Sequence, residues 1–421
     1  MHQPIGRIPR LIKRNTALFA LSQSFTGTGM SLAYGIGPLM VVALTGSASL
    51  AGLFVGFIGL SRFLVSYPVG KITDTYGRKP GILFGLVLAA AGAIALGLSM
   101  PVRSGAALVG GMVMFSMGMN AAQQLRVAAT DMFPPALRAQ ALGYVALGSL
   151  VGLVVSPSLI GWSEAIALRL GHDPLAIPWL LLPGLIVPGM ILVAFVRPDP
   201  KEIGMRLAEY YPGYALPAQP PAARNAPFSP FDLLRHVPTR LAIASNAAAQ
   251  GNMSIVMVLT SLVLAHHGHS LMAIAVSHTF HSAGMFAFTI PLGWLADRLG
   301  RQVVMIPGVA IALIGALLVT FTEPFWSITL GTFLVGLGWA AANVAATALV
   351  ADHVETAERG RAIGVNDGFA GAISVVAALA TGPLIAWGGL PSAGVAAVLV
   401  ASGPLLMLAV MRPTPGPVNR T

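Results

Sequence analysis

Apolar residues run along this chain in stretches of about 20, separated by short polar segments, almost from end to end. The runs are continuous and do not alternate. A helix needs about 20 apolar residues to cross the hydrocarbon core, and lipid forces every backbone polar group to be satisfied internally. The pattern therefore predicts an all-α membrane protein with twelve transmembrane helices. Their approximate spans are 16–42, 49–70, 80–99, 105–130, 139–162, 175–196, 241–265, 271–293, 303–321, 325–350, 362–387 and 391–411. One long segment interrupts the series. It carries PDP, PAQPP and SPF, which read as a linker with a short surface helix near 201–210. The expected organisation is a six-helix bundle at 1–197, a linker at 198–240 and a second six-helix bundle at 241–421.

Composition removes most other classes. Of 421 residues, 56% are hydrophobic and 9% charged, with a mean hydropathy of +0.79. A soluble domain carries about 25% charged residues. The net charge of +10 does not point to nucleic acid, because the basic residues sit in the short segments between apolar runs. With an even number of spans both termini share one side. Placing that side in the cytoplasm puts nearly all Lys and Arg inside, with only Arg103 and Arg169 outside. A bacterial or archaeal plasma membrane is expected. Arg7, Arg10, Lys13 and Arg14 precede a full-length span without a clean cleavage site, so the first span reads as a permanent helix. The chain has no cysteine, which excludes disulfides and thiolate metal sites. No nucleophile–base set, phosphate loop or metal cage stands in the polar segments, so neither an enzyme nor a cofactor is expected.

The two halves repeat. Gly70, Asp74, Gly77 and Arg78 recur 223 residues later as Gly293, Asp297, Gly300 and Arg301. At the same offset Gln23 meets Asn246, while Asp131, Arg138 and Gly143 recur as Asp352, Arg359 and Gly364 at an offset of 221. A repeat of spaced polar residues is the mark of a duplicated fold. The GxxxDxxGR element, between spans 2 and 3 and again between 8 and 9, resembles the signature of the major facilitator superfamily. The resemblance implies two bundles rocking about a midplane site by alternating access. It also implies a gate at the cytoplasmic side, to which Asp74, Arg78, Arg126, Asp131, Arg138, Asp297, Arg301, Asp352 and Arg359 are assigned, with a substrate contact as the alternative for Arg126. In span 5, Gly143, Gly152, Ser156-Pro157 and Gly161 resemble the antiporter motif of drug and metabolite exporters. Small residues and a proline there are expected to let span 5 pack tightly and kink against the opposite bundle. Those exporters carry an arginine in span 4 where this chain has the methionines of LVGGMVMFSMGMN.

Polar groups inside spans are costly and mark function. Arg62 lies eight residues before Gly70, deep in span 2. It reads either as an anion clamp or as a tie to a neighbouring helix. Asn120, Gln123 and Gln124 form a polar stripe on span 4, and Gln23, Asn246, Gln250 and Asn343 add amides on spans 1, 7 and 10. These are the candidate substrate contacts. No acid stands in the middle of spans 1, 4 or 7, which favours neutral or anionic solutes over cations. His278 and His281 share a face of span 8 and are the candidate proton carriers, with buried structural histidines as the alternative. His266, His267 and His269 draw a third reading, a metal-ion or metal-chelate exporter, although no intramembrane carboxylate accompanies them. The expectation is a monomeric, proton-coupled exporter of a small organic solute. An importer of a small organic anion and a transporter-like receptor stand as alternatives.

Overall fold

The computed structural model describes residues 8–134, 137–211, 230–354 and 359–410. Among these the chain is helical without a strand. Seven helices are each long and apolar enough to cross a membrane, or nine when each bent pair is taken as one span. Leu53–Tyr76 and Arg138–Leu170 have the length as well, and the helical run Arg359–Val410 holds two spans. That run turns at Gly388 and Gly389, the latter at φ 73°, so spans 11 and 12 separate between the expected bounds. The twelve spans are thereby accounted for.

Several spans are broken where the apolar pattern gave no warning. Span 1 consists of Arg10–Thr26, Thr28–Gly35 and Gly37–Thr45, bent by 44° at Ile36. Span 4 divides at Gln123 into Gly105–Ala122 and Gln124–Asp131, and span 8 bends by 40° between Leu271–Ala287 and Thr289–Leu299. Broken helices free backbone groups, which is tolerated at membrane depth only inside protein or along a wet cavity.

The chain divides into two compact units, Met1–Ala223 with Ser261–Thr279, and Arg224–Thr260 with Phe280–Thr421. Small residues set the packing in both. In the first unit spans 3 and 4 meet through Gly85, Gly92, Gly111 and Gly118, and a Cβ added at Gly92 or Gly118 would stand 2.3 Å from the Phe115 or Ala89 nitrogen. In the second, spans 9 and 10 meet in the same way through Gly308, Gly315, Gly331 and Gly338. Lipid gives no hydrophobic drive between helices, so close backbone approach and its dispersion gain must supply the association. Span 5 uses Gly148 likewise: a Cβ there would lie 1.9 Å from the Ala20 carbonyl of span 1, its own bundle's helix. Gly161 meets Met272 at the start of span 8.

Large apolar side chains point outward as a membrane demands. Ile290, Val376, Leu399 and Leu406 are each more than 60% exposed. Trp162, Trp326 and Trp387 are exposed near the ends of spans 5, 10 and 11, and Trp294 carries the Arg298 guanidinium 4.2 Å above its ring. Such indoles mark the two membrane–water interfaces. Trp179 is the buried exception, stacked on Phe54 and edge-on to Phe115 in the first unit's core.

Candidate functional site

Two groups of polar residues carry chemistry. The first lies at the end of each unit that holds the span 2–3, 4–5, 8–9 and 10–11 turns, called the basic end below. In the first unit Gly77, at φ 102°, ends span 2 and lets Arg78 begin span 3 at once. Arg78 Nε donates to Asp131 Oδ2 at 2.6 Å, and its Nη1 to Thr73 Oγ1 at 3.1 Å. The second unit repeats this. Gly300, at φ 108°, precedes Arg301, which pairs with Asp352 Oδ2 at 3.1 Å and with Asp297 one turn back. Each brace lies wholly inside its own unit, tying the 2–3 turn to the end of span 4 and the 8–9 turn to the end of span 10. They differ in shielding. The Arg78 and Asp131 side chains are 19% and 25% exposed, whereas Asp352 is 50% exposed. The side chains of Arg62, Asp74, Arg138 and Arg359 lie outside the described residues. Arg126 is half-buried near the end of span 4.

A residue of the linker completes the first brace. Asp199 follows span 6, and its carboxylate accepts the backbone N–H of Arg78 and of Lys79, each at 3.0 Å. A carboxylate on a helix N-terminus satisfies orphan donors and meets the positive end of the dipole. The same side chain accepts from the Lys201 N–H at 2.9 Å, capping the short helix Pro200–Met205. Lys79 pairs with no carboxylate side chain among the described residues; its Nζ reaches the Ala194 carbonyl at 2.9 Å. The linker's first turns then lie against the brace. Ile203, Leu207 and Tyr211 are buried, and Tyr211 donates to the Met132 carbonyl at 3.2 Å. Burial pushes the Tyr211 pKa above its ordinary value, so the hydroxyl keeps its proton. Asp199 escaped the sequence reading because the chain separates it from Arg78 by 121 residues. Its local signal, Asp before Pro200 at the first helical position, is a cap signature.

The second group is a ladder of amides in the second unit. On span 7 Asn246, Gln250 and Ser254 recur every four residues and so share a face. The Trp339 indole N–H donates to Gln250 Oε1 at 2.7 Å, and Asn343 Nδ2 to Asn246 Oδ1 at 2.9 Å. Ser374 of span 11 closes the ladder, at 2.6 Å from Ser254 Oγ and 3.5 Å from Gln250 Nε2. Gln250 and Trp339 are near the middles of Val237–His266 and Phe325–Asp352, hence at the depth of the bilayer centre. Three residues that the sequence singled out, Asn246, Gln250 and Asn343, are thus brought together. Trp339 and Ser374 join them unannounced.

The remaining candidates are dispersed. Asn120 Nδ2 turns onto span 2, within 3.0 Å of the Ile58 carbonyl and 2.6 Å of Ser61 Oγ, so its donors serve helix packing. Gln123 sits at the span 4 break, Gln124 is half-buried beyond it, and Gln23 is buried on span 1. The two histidines reach different helices. His278 Nε2 lies 2.9 Å from Ser261 Oγ on span 7, whereas His281 Nδ1 lies 2.9 Å from the Thr332 carbonyl of span 10. His267 bonds back to Val263 O within its own helix end. Among the described residues, no three His, Asp or Glu side chains form a group able to hold a metal ion.

Comparison with known proteins agrees with this architecture. The family model described as Major Facilitator Superfamily matches residues 19–277 and 241–421. The uncharacterized MFS-type transporter YdeG of Bacillus subtilis is 27% identical over 366 residues, covering 85% of this chain and 82% of its own. The riboflavin transporter RfnT of Brucella anthropi is 26% identical over 361 residues, covering 84% and 85%. The crystal structure of the nucleoside transporter NupG superposes with a TM-score of 0.68 at 12% identity, covering 94% and 97%, a likeness of fold alone. With the duplicated turn, the paired Arg–Asp braces and the family match across nearly its whole length, this chain belongs to the major facilitator superfamily of multi-pass membrane transporters.

Proposed function

We propose that the protein is a secondary active carrier working by alternating access, exporting a small neutral or anionic organic solute in exchange for protons. The observation that carries this reading is the duplicated brace, Arg78 with Asp131 and Arg301 with Asp352, which stiffens the same end of each half. A carrier that rocks two bodies about a midplane site needs such rigid ends. The bundles are residues 1–197 and 241–421 with the linker 198–240 between them, and the basic ends and both termini face the cytoplasm of a bacterial or archaeal cell. The protein acts as a monomer in the bilayer. Gln23, Gln123, Gln124, Asn246, Gln250 and Asn343 are the solute contacts in this reading, and the other assigned charges govern the cytoplasmic gate.

His278 and His281 carry the proton. With its Nδ1 on the Thr332 carbonyl, His281 keeps Nε2 to take up a proton. Riboflavin, the solute of the relative RfnT, and the nucleoside uridine are the first solutes to try. In proteoliposomes an imposed pH gradient should drive transport of the accepted solute, and His281→Gln should abolish that response while leaving gradient-free exchange intact. Glutamine preserves a donor for Thr332 but takes no proton. Gradient-driven transport surviving replacement of both histidines removes the coupling assignment.

A further inference from the structure

The amide ladder of the second unit has hydrogen-bonding capacity that the protein leaves uncommitted. An indole N–H is a donor only, so Trp339 fixes the Gln250 carboxamide with its oxygen towards the indole. Gln250 Nε2 then retains only a 3.5 Å approach to Ser374, at the limit of a hydrogen bond. In the neighbouring rung Asn343 and Asn246 share a single bond. Asn246 is fully buried, and its Nδ2 has no partner among the described residues. The Asn343 oxygen likewise makes no bond to another described residue. Whichever way this pair is turned, it leaves one donor and one acceptor open.

Open valences of this kind are expensive unless something fills them. Gln250, Trp339 and Asn343 are only half-buried although they stand mid-span. Amides at that depth are not tolerated against hydrocarbon, so they line a wet cavity. The indole, its N–H already engaged, offers only carbon to that cavity. The rungs are one helical turn apart, about 5.4 Å. The site therefore presents the Gln250 donor and the Asn343 acceptor beside an apolar aromatic wall, with the Asn246 amide buried behind them. Its complement is a flat ring whose edge sets a carbonyl beside an N–H. A charged head is not called for, because no ionised side chain takes part in these bonds.

We propose that Gln250, Asn246 and Asn343, with Trp339 as the wall, form a subsite that reads the lactam or imide edge of an uncharged heteroaromatic solute. The proposal rests on the carrier reading and narrows its substrate class. It is tested on the purified full-length protein by equilibrium binding of riboflavin, uridine and xanthine. Riboflavin and uridine are each compared with the derivative methylated at the imide nitrogen. Methylation keeps both carbonyls and the plane and removes one N–H. At least one parent should bind saturably, with its methyl derivative at least tenfold weaker, because a site built around an N–H rejects the analogue lacking it. Asn343→Leu should bring the parent down to the affinity of the methyl derivative, with Gln250→Leu as the second variant if the first does not fold. Equal affinity of parent and methyl derivative, or no binding by any of the three imides, overturns the proposal. The carrier reading fails by a different route, if the two ends of the protein do not move in opposition.

Discussion

Asp131→Asn is expected to destabilise the protein by about 2 kcal/mol and to impair transport, while Asp352→Asn costs under about 1 kcal/mol. The two positions are counterparts in the repeat, so the difference isolates their surroundings. Arg78 and Asp131 are shielded at 19% and 25% exposure and meet at 2.6 Å. Neutralising the acid removes a short charge-assisted bond from a site largely shielded from water, and about 2 kcal/mol is about a thirtyfold shift in an equilibrium. Asp352 is half exposed, and Arg301 retains Asp297 one turn away. Water reaches this pair and compensates for much of its loss. Thermal unfolding in detergent, followed on wild type and both variants, checks the order. Equal losses would remove the distinction between the two braces.

The glycines before these arginines give a second large effect. Gly77 and Gly300 have φ of 102° and 108° with extended ψ, a region open essentially to glycine alone. Alanine at either place should cost about 1–3 kcal/mol in backbone strain. At Gly300 the added methyl would meet nothing closer than a Val303 methyl at 4.0 Å. At Gly77 it would stand 2.7 Å from Asp199 Oδ2, inside contact distance. The carboxylate must move, and the cap on span 3 weakens by about another 1 kcal/mol. Gly77→Ala should therefore lower the unfolding midpoint further than Gly300→Ala. Part of that excess should vanish in an Asp199→Ala background, because the two changes then remove the same contact. Strict additivity in the double variant would show that Asp199 does not hold the span 3 terminus.

The sequence made the repeat and the charges legible because both follow short-range rules. An apolar run of fixed length means a span, and Gly77-Arg78 and Gly300-Arg301 announce a tight turn wherever the halves are aligned. Partners across helices were less visible. In a soluble helix the buried face shows as a periodic stripe, but lipid is as apolar as a packed core, so span faces carry little contrast. Asn120 therefore looked like a cavity residue until its amide was seen on span 2. His278 and His281 shared a face on paper yet bond to spans 7 and 10. Gln250 and Trp339 are 89 residues apart, and nothing local in either span points to the other. Span 5 was expected to press on the opposite bundle. Gly161 of the antiporter-like spacing meets Met272 of span 8, while the tightest approach of span 5 is Gly148 on span 1, a glycine outside that spacing.

The central claim is that the two halves move as braced bodies and expose one end at a time. The chain has no cysteine, so spin labels attach only where cysteines are placed. One label pair at Tyr76 and Leu299 reports on the basic ends, and one at Val102 and Phe321 on the opposite ends; all four side chains are more than half exposed. Double electron–electron resonance in lipid, recorded across pH with and without an accepted solute, measures both distance distributions. The account predicts that when the basic-end pair lengthens the other pair shortens, and the reverse. Two distributions that stay fixed under all these conditions, or that lengthen together, would contradict it.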